Sequence, residues 1–422
     1  MTSTAARAAI ALAAGLAASA CRATPTHASL DAAARSYVAL MLALGERDAD
    51  SLDSYHGPAA WQAQARAEHA TLADIRARAR ALADSLVAHT YDAGDDEPRR
   101  AFLVRQLRAA ASRVDVLLGA RPPFDEEARL LFGLTPQSDA AMRAPARDPA
   151  AVRAELDRLL PGRGDLAARY AAFDRLFLVA PDRLTAVLSR AIDGCRAATR
   201  AHVALPDEKV TVELLGDLPW SAFTRYDGHF SSRVQVNASL PLTVDRALDL
   251  ACHEAYPGHH TIAVLLDARF GDRRPELFVL PLFSPQSLLH EAAASLAPSL
   301  AFPGDTRAAF ERDVLFPLAG LDASRAERHV AVARLVDELH PLVSRVARQY
   351  LDGGLDFPRA AAALEREALM PSADATLKFL NQFRSYAAAY TIGRDRLASS
   401  VAAGWDAYVR VVSDPAQTVP FR

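Results

Sequence analysis

A chain of 422 residues, 51% hydrophobic and 23% charged, is long enough to bury a large core and too apolar to be disordered. Its net charge of −3, with both signs mixed along the sequence, provides no basic face and argues against a nucleic-acid partner. Lys209 and Lys378 are the only lysines while arginine and alanine abound, which reads as base-composition bias rather than chemistry.

The first predicted element is a leader. Arg7 supplies a positive head, residues 8–20 an apolar stretch too brief to anchor in a bilayer, and Ala18-Ser19-Ala20 the small residues that precede cleavage. The sequence predicts a lipoprotein-type signal peptide over 1–20, with Cys21 as first mature residue and lipidation site, then a tether over 21–30. The expectation is an exported protein, held at a membrane by its N-terminal lipid alone, or periplasmic or extracellular. No later stretch is long and apolar enough for a transmembrane helix. Cys195 and Cys252 remain, far apart in sequence, and a buried free thiol is expected at Cys252.

Residues 31–205 read as a helical N-terminal region. Ile75, Ala79, Leu82 and Leu86 share one helical face, and Leu103, Leu107, Ala110, Val114 and Leu117 repeat the pattern. Arg121-Pro122-Pro123 breaks the chain, 135–149 is a polar connection, and helical spacing resumes over 165–205. From 206 the texture changes, so that 206–422 reads as a catalytic region packed with the first as one unit. Residues 209–214 and 232–237 alternate as strands do, with Gly228 in their connection. Leu240-Pro241-Leu242-Thr243 opens a helix that runs into a histidine-rich stretch. Residues 287–296 read as a buried helix, and Leu335, Leu339, Leu342, Val346 and Tyr350 as one face bent at Pro341. The predicted class is mainly α with a small β-sheet. No P-loop, GxSxG or CxxC competes for the function.

The histidine-rich stretch is His253-Glu254-Ala255-Tyr256-Pro257-Gly258-His259-His260. A plain HExxH would place its second ligand at position 257, where Pro257 cannot bind a metal. On a straight helix His259 lies about 120° around the axis from His253, and His260 returns to the same face but about 10 Å along it. A bulge of two residues at Pro257-Gly258 would instead bring His259 to the second ligand place. His253 and His259 are therefore the expected metal ligands, with His260 behind them and Glu254 as general base; His260 remains the rival second ligand. A catalytic zinc needs a third protein ligand and an open position. Glu291 is the candidate, because a carboxylate on an apolar helix needs a cation, and His290 is its rival. Four of the twelve histidines fall between 253 and 290, which makes chance clustering unattractive.

This pattern resembles the uncharacterised bacterial HExxPGHH family, a domain of unknown function numbered eight-eight-five. The likeness runs from about Tyr37 to about Leu397 and is strongest from Arg225 to Glu291. Tyr55-His56-Gly57-Pro58, Val234-Gln235-Val236-Asn237 before Leu240-Pro241, and Ala389-Tyr390-Thr391-Ile392-Gly393 look like its flanking signatures. The resemblance implies a zincin-like, gluzincin-type metallohydrolase fold with peptidase chemistry, His253, His259 and Glu291 on zinc and Glu254 as base. The chain departs from the family at Ala292, Ala293 and Pro298, where glycine, tryptophan and a further acid are common, so its substrate pocket is expected to differ.

Tyr386, Tyr390 and Arg394 recur every four residues, the spacing of one helical face. Tyr390 is the candidate oxyanion donor, weighed evenly against a core role, with Tyr386, Arg394 and Asn237 as candidate substrate contacts. Strand 232–237 precedes the metal helix as the edge strand does in many zincins, and would align an extended peptide. The expected function is an exported zinc hydrolase acting on a peptide or small amide, with no nucleic-acid partner. The alternatives are a zinc hydrolase of a non-peptide amide or ester, and a non-catalytic metal-binding lipoprotein.

Overall fold

Apolar residues at helical spacing build most of the molecule. The structure is a computed structural model and describes residues 30–88, 97–135, 147–218 and 220–415. The leader and Cys21 lie outside the described residues. Helices Leu30–Gly45, Leu72–Ala88 and Glu97–Leu117 pack into a first core, Ile75 and Ala79 facing Leu103, Leu107 and Val114. A second, larger core begins at Phe124 and continues to Val412. The expected boundary at 205/206 therefore falls inside one core. The reason is helix Pro181–Arg200, whose stripe of Leu184, Val187, Leu188, Ala191 and Cys195 closes against residues after 206.

Two small sheets complete a mainly helical fold. β1 (Ser54–Tyr55) and β5 (Val279–Leu280) form an antiparallel pair that ties the first core to the second. The other sheet has the order β2-β4-β3. β2 (Lys209–Leu215) lies parallel to β4 (Ser231–Asn237), which is antiparallel to β3 (Ala222–Gly228). His229 and Phe230 make the β3–β4 turn with φ of 49° and 59°, both left-handed as a type I′ hairpin demands. The strand expected at 232–237 is thus the centre of the sheet, hydrogen-bonded on both sides, and cannot receive a peptide. The edge belongs to β3, a strand the sequence reading passed over.

Other expectations change in detail. The face from Leu335 to Tyr350 is two helices, Ala326–Asp337 and Pro341–Leu351, because Pro341 has no N–H to continue the first. Cys252 is not a free thiol: it forms a disulfide with Cys195, 57 residues away, binding two helices that already pack together. No helix of the described residues is long and apolar enough to cross a membrane.

Candidate metal centre

The helix that carries the first histidine is Val244–Glu254. It buries Val244, Ala247, Leu248, Ala251 and Cys252, with Asp245 favourably placed in its first turn. It stops at Ala255, where φ −106° and ψ −81° leave the helical region, and a new helix starts at His259 and runs to Phe270. Between them the chain folds back on itself: Gly258 N–H donates to Cys252 O at 3.0 Å and Thr261 N–H to Ala255 O at 3.2 Å. Only glycine fits at 258, since a Cβ there would lie 1.7 Å from His253 O. The break does by two helix ends what the expected bulge would do within one.

As a result His253 and His259 meet, their Nε2 atoms 3.2 Å apart. Helix Pro285–Ala301, buried on nearly all sides, brings Glu291 to the same point. Its Oε2 lies 3.3 Å from His253 Nε2 and its Oε1 3.3 Å from His259 Nε2. Among the described residues this trio is the one group of histidine, cysteine and carboxylate atoms close enough to share a metal, all within 4.8 Å of one another. The separations fit a cation: tetrahedral bonds of roughly 2.0–2.2 Å put neighbouring ligand atoms about 3.3 Å apart. The chemistry fits too. Glu291 Oε2 is buried with no hydrogen-bond partner, and such an atom is costly unless a positive charge faces it. The protein's own charges register that demand. Burial opposes a charged His259, yet the Glu291 carboxylate lifts the ring to about 9. Glu291 in turn is held well below the usual carboxylate range by the two histidines, against its burial.

Around the trio sit residues that hold or face it. Tyr386 donates from its hydroxyl to Glu291 Oε1 at 2.8 Å and lies 3.3 Å from Ser287 Oγ. It supports a ligand rather than a substrate, although it also lines the cleft. Glu254 is buried beside the trio but outside it. Thr224 Oγ1, from β3, lies 2.8 Å from both Glu254 O and Oε2, so its hydroxyl proton is shared between the carbonyl and the carboxylate of Glu254 and ties that residue to the strand. Tyr390 stacks over His253 with ring centroids 6.2 Å apart. Burial, then the Glu291 and Glu254 carboxylates, keep its hydroxyl protonated and therefore a donor. His290, the rival ligand, lies in the cleft wall outside the trio, held neutral by burial and by His259, its pKa down to about 3.

Three further residues lie outside the trio, His260 behind it as the sequence suggests, Arg394 and Asn237 away from a substrate contact. His260 is fully buried behind the turn, with Nδ1 2.7 Å from Ser232 Oγ and Nε2 3.2 Å from Glu208 Oε2. Glu208 also takes the Tyr256 hydroxyl and the guanidinium groups of Arg196 and Arg200, which hold it well below the carboxylate range despite burial. Arg394 is paired with Asp337 on a neighbouring helix. Residues 384–388 are 3-10 and 389–393 are π, so 386, 390 and 394 do not keep one α-helical face. The Asn237 amide donates to Leu218 O and Trp220 O at 2.8 and 3.1 Å, shaping the loop into β3.

The trio opens into a cleft of about 280 Å3. Its lining includes Trp220, Phe223 and Thr224 at and before β3, and Asp53 and His56 flanking the neighbouring β1, where the His56 and Tyr226 ring centroids are 5.0 Å apart. Asp53 was not foreseen, since nothing local marks it: its place comes from the β1–β5 pair, through Asp53 N–H donating to Leu280 O at 2.9 Å. Burial, and then the Glu291 and Glu254 carboxylates, raise it to about 7. Thr224 was legible in principle, because Ala222 to Tyr226 carries the aromatic and β-branched residues of a strand.

No family model matches the chain, and no curated protein does. Solved structures are similar, two of them as follows. One is described as "the putative lipoprotein from Colwellia psychrerythraea", with TM-score 0.49 and 14% identity over 82% of this chain and 69% of that one. The other is described as "a putative lipoprotein of unknown function from Shewanella oneidensis", with TM-score 0.45 and 13% identity over 93% and 72% of the two chains. At TM-scores below 0.5 neither likeness carries an argument about fold or function.

Proposed function

We propose that this protein is an exported zinc-dependent hydrolase of the zincin type, related to the HExxPGHH family and acting on peptide bonds. The observation that carries the reading is the trio itself: two imidazoles and a carboxylate, from three helices, converge at 3.2–3.3 Å on a cleft. This donor set suits zinc, and among the described residues no fourth protein ligand closes the site, as a structural metal would require. When bound, zinc supplies a Lewis acid that polarises a carbonyl and makes water a nucleophile near neutral pH.

The chain's own residues do the rest. Glu254, beside a ligand but outside the trio, removes a proton from the attacking water and returns it to the leaving nitrogen. Thr224 holds that carboxylate in place. Tyr390, a protonated hydroxyl facing the same space, donates to the developing oxyanion. The β3 edge, rather than β4, aligns an extended chain along the cleft. A disulfide belongs to an oxidising compartment, which supports export. Lipidation at Cys21 remains part of the proposal.

The test joins metal analysis to a peptide-library screen. Purified protein should carry one zinc per chain and cleave a subset of peptides. A chelator should stop cleavage and added zinc restore it. Protein that stays metal-free after incubation with zinc would end the proposal.

A further inference from the structure

The cleft is acidic, and the charge has no counterpart. Its lining carries the carboxylates of Asp50, Asp53, Glu254, Asp267 and Glu291, and among the described residues no arginine or lysine. Glu291 is committed to the trio, Glu254 to Thr224, Asp267 to the Tyr226 hydroxyl at 2.6 Å and Asp50 to the Gln382 amide at 2.9 Å. Asp53 differs from all of these. Among the described residues no hydrogen bond or ion pair ends on its carboxylate, and it lines the same cleft as the trio, directly before the β1 segment that packs against β3. A divalent cation at the trio would offset two of the charges of Asp50, Glu254, Asp267 and Glu291 and leave the cleft negative even before Asp53 is counted. A substrate carboxylate is therefore repelled, and Arg394, a candidate substrate contact in the sequence, is bound to Asp337 elsewhere. The lining also has a large apolar share, from Trp220, Phe223, Phe278, Phe379 and Phe383.

We propose that Asp53 anchors the protonated amino group of the substrate, so that the cleft takes short peptides with a free N-terminus and an apolar side chain. The proposal rests on reading the cleft as a peptide-hydrolysing site, and it gives that site a substrate class. An ammonium group supplies what Asp53 lacks, a hydrogen-bonding cation in a partly desolvated place. It sets the register as well. With the amino terminus held at Asp53 and the backbone along β3, the bond nearest the terminus faces the trio, and cleavage is that of an aminopeptidase or dipeptidase.

The experiment measures binding, not turnover. Leucine amide, N-acetyl-leucine amide and N-α-acetyl-lysine amide are titrated calorimetrically into the zinc-loaded full chain and into its Asp53→Asn variant. Leucine amide should bind at least about tenfold tighter than its acetylated form, the scale of one charged hydrogen bond. Asp53→Asn should bring the two within about threefold, with zinc content and melting temperature unchanged. Binding of N-α-acetyl-lysine amide as tight as that of leucine amide would move the ammonium to a basic side chain and overturn the free N-terminus as the anchored group. Acetylated and free leucine amide binding alike, a preference that survives Asp53→Asn, or a variant that loses zinc each overturns the proposal. An intact preference in a protein that cleaves no peptide would leave the anchor standing and remove the hydrolase.

Discussion

Glu291 shows how one residue can state a requirement. Its carboxylate sits on a helix of alanine and leucine, and one oxygen is buried without a hydrogen bond. His253→Ala, His259→Ala and Glu291→Ala should each lower zinc occupancy of the purified protein to background, measured by metal analysis. His260→Ala should keep its zinc but lose about 2–3 kcal/mol of stability in denaturant, because it leaves Glu208 and Ser232 buried without a partner. Loss of metal in His260→Ala with retention in His259→Ala would reverse the assignment. Tyr390→Phe should lower turnover ten- to a thousandfold, roughly the range for an oxyanion donor, with zinc content intact. Full turnover would return Tyr390 to a packing role. At this scale the sequence was most legible where chemistry is written locally: the histidines, Glu254 and the odd acid on an apolar helix. It was least legible for Asp53 and Thr224, which reach the cleft only through strand pairing.

At the scale of elements the decisive one is the turn at 255–258. The proline and glycine announced a departure from the helix, and the physical reason holds: Gly258 is where one backbone passes against another. Its extent was not readable, since a bulge inside one helix and a break between two bring the same two histidines together. Gly258→Ala should cost more than about 3 kcal/mol and release metal, as the added methyl must displace His253 O. A Gly258→Ala protein with wild-type stability and zinc would show that the turn has room that its geometry denies. The segment 384–393 misled for a related reason. Four-residue spacing implies one face only on an α-helix, and a 3-10 turn followed by a π turn sends Arg394 to Asp337. β4 misled because alternation identifies a strand but says nothing about its neighbours.

Over the whole molecule, the mainly helical class with a small sheet followed from periodicity, and the residues on either side of 205/206 share one core. Composition changes there, but burial does not, and the disulfide binds helix Pro181–Arg200 to the helix of His253 across that line. Replacing both Cys195 and Cys252 by alanine should lower stability by about 4 kcal/mol, the loop-entropy scale for a 57-residue separation. Equilibrium unfolding of the two proteins measures it, and equal midpoints would show that packing alone holds the helices. The scaffold then has one purpose in this account, to keep three ligands and a base rigid at the floor of an acidic cleft.

The most direct test of that account is Glu254→Gln, compared with wild type at equal zinc occupancy on a peptide that wild type cleaves. The amide keeps the shape of the side chain and removes the base. Zinc content and peptide binding should persist while hydrolysis falls at least about a hundredfold, the scale of general-base removal. Hydrolysis at the wild-type rate would contradict the mechanism, because nothing in it would then depend on the carboxylate that Thr224 holds beside the metal ligands.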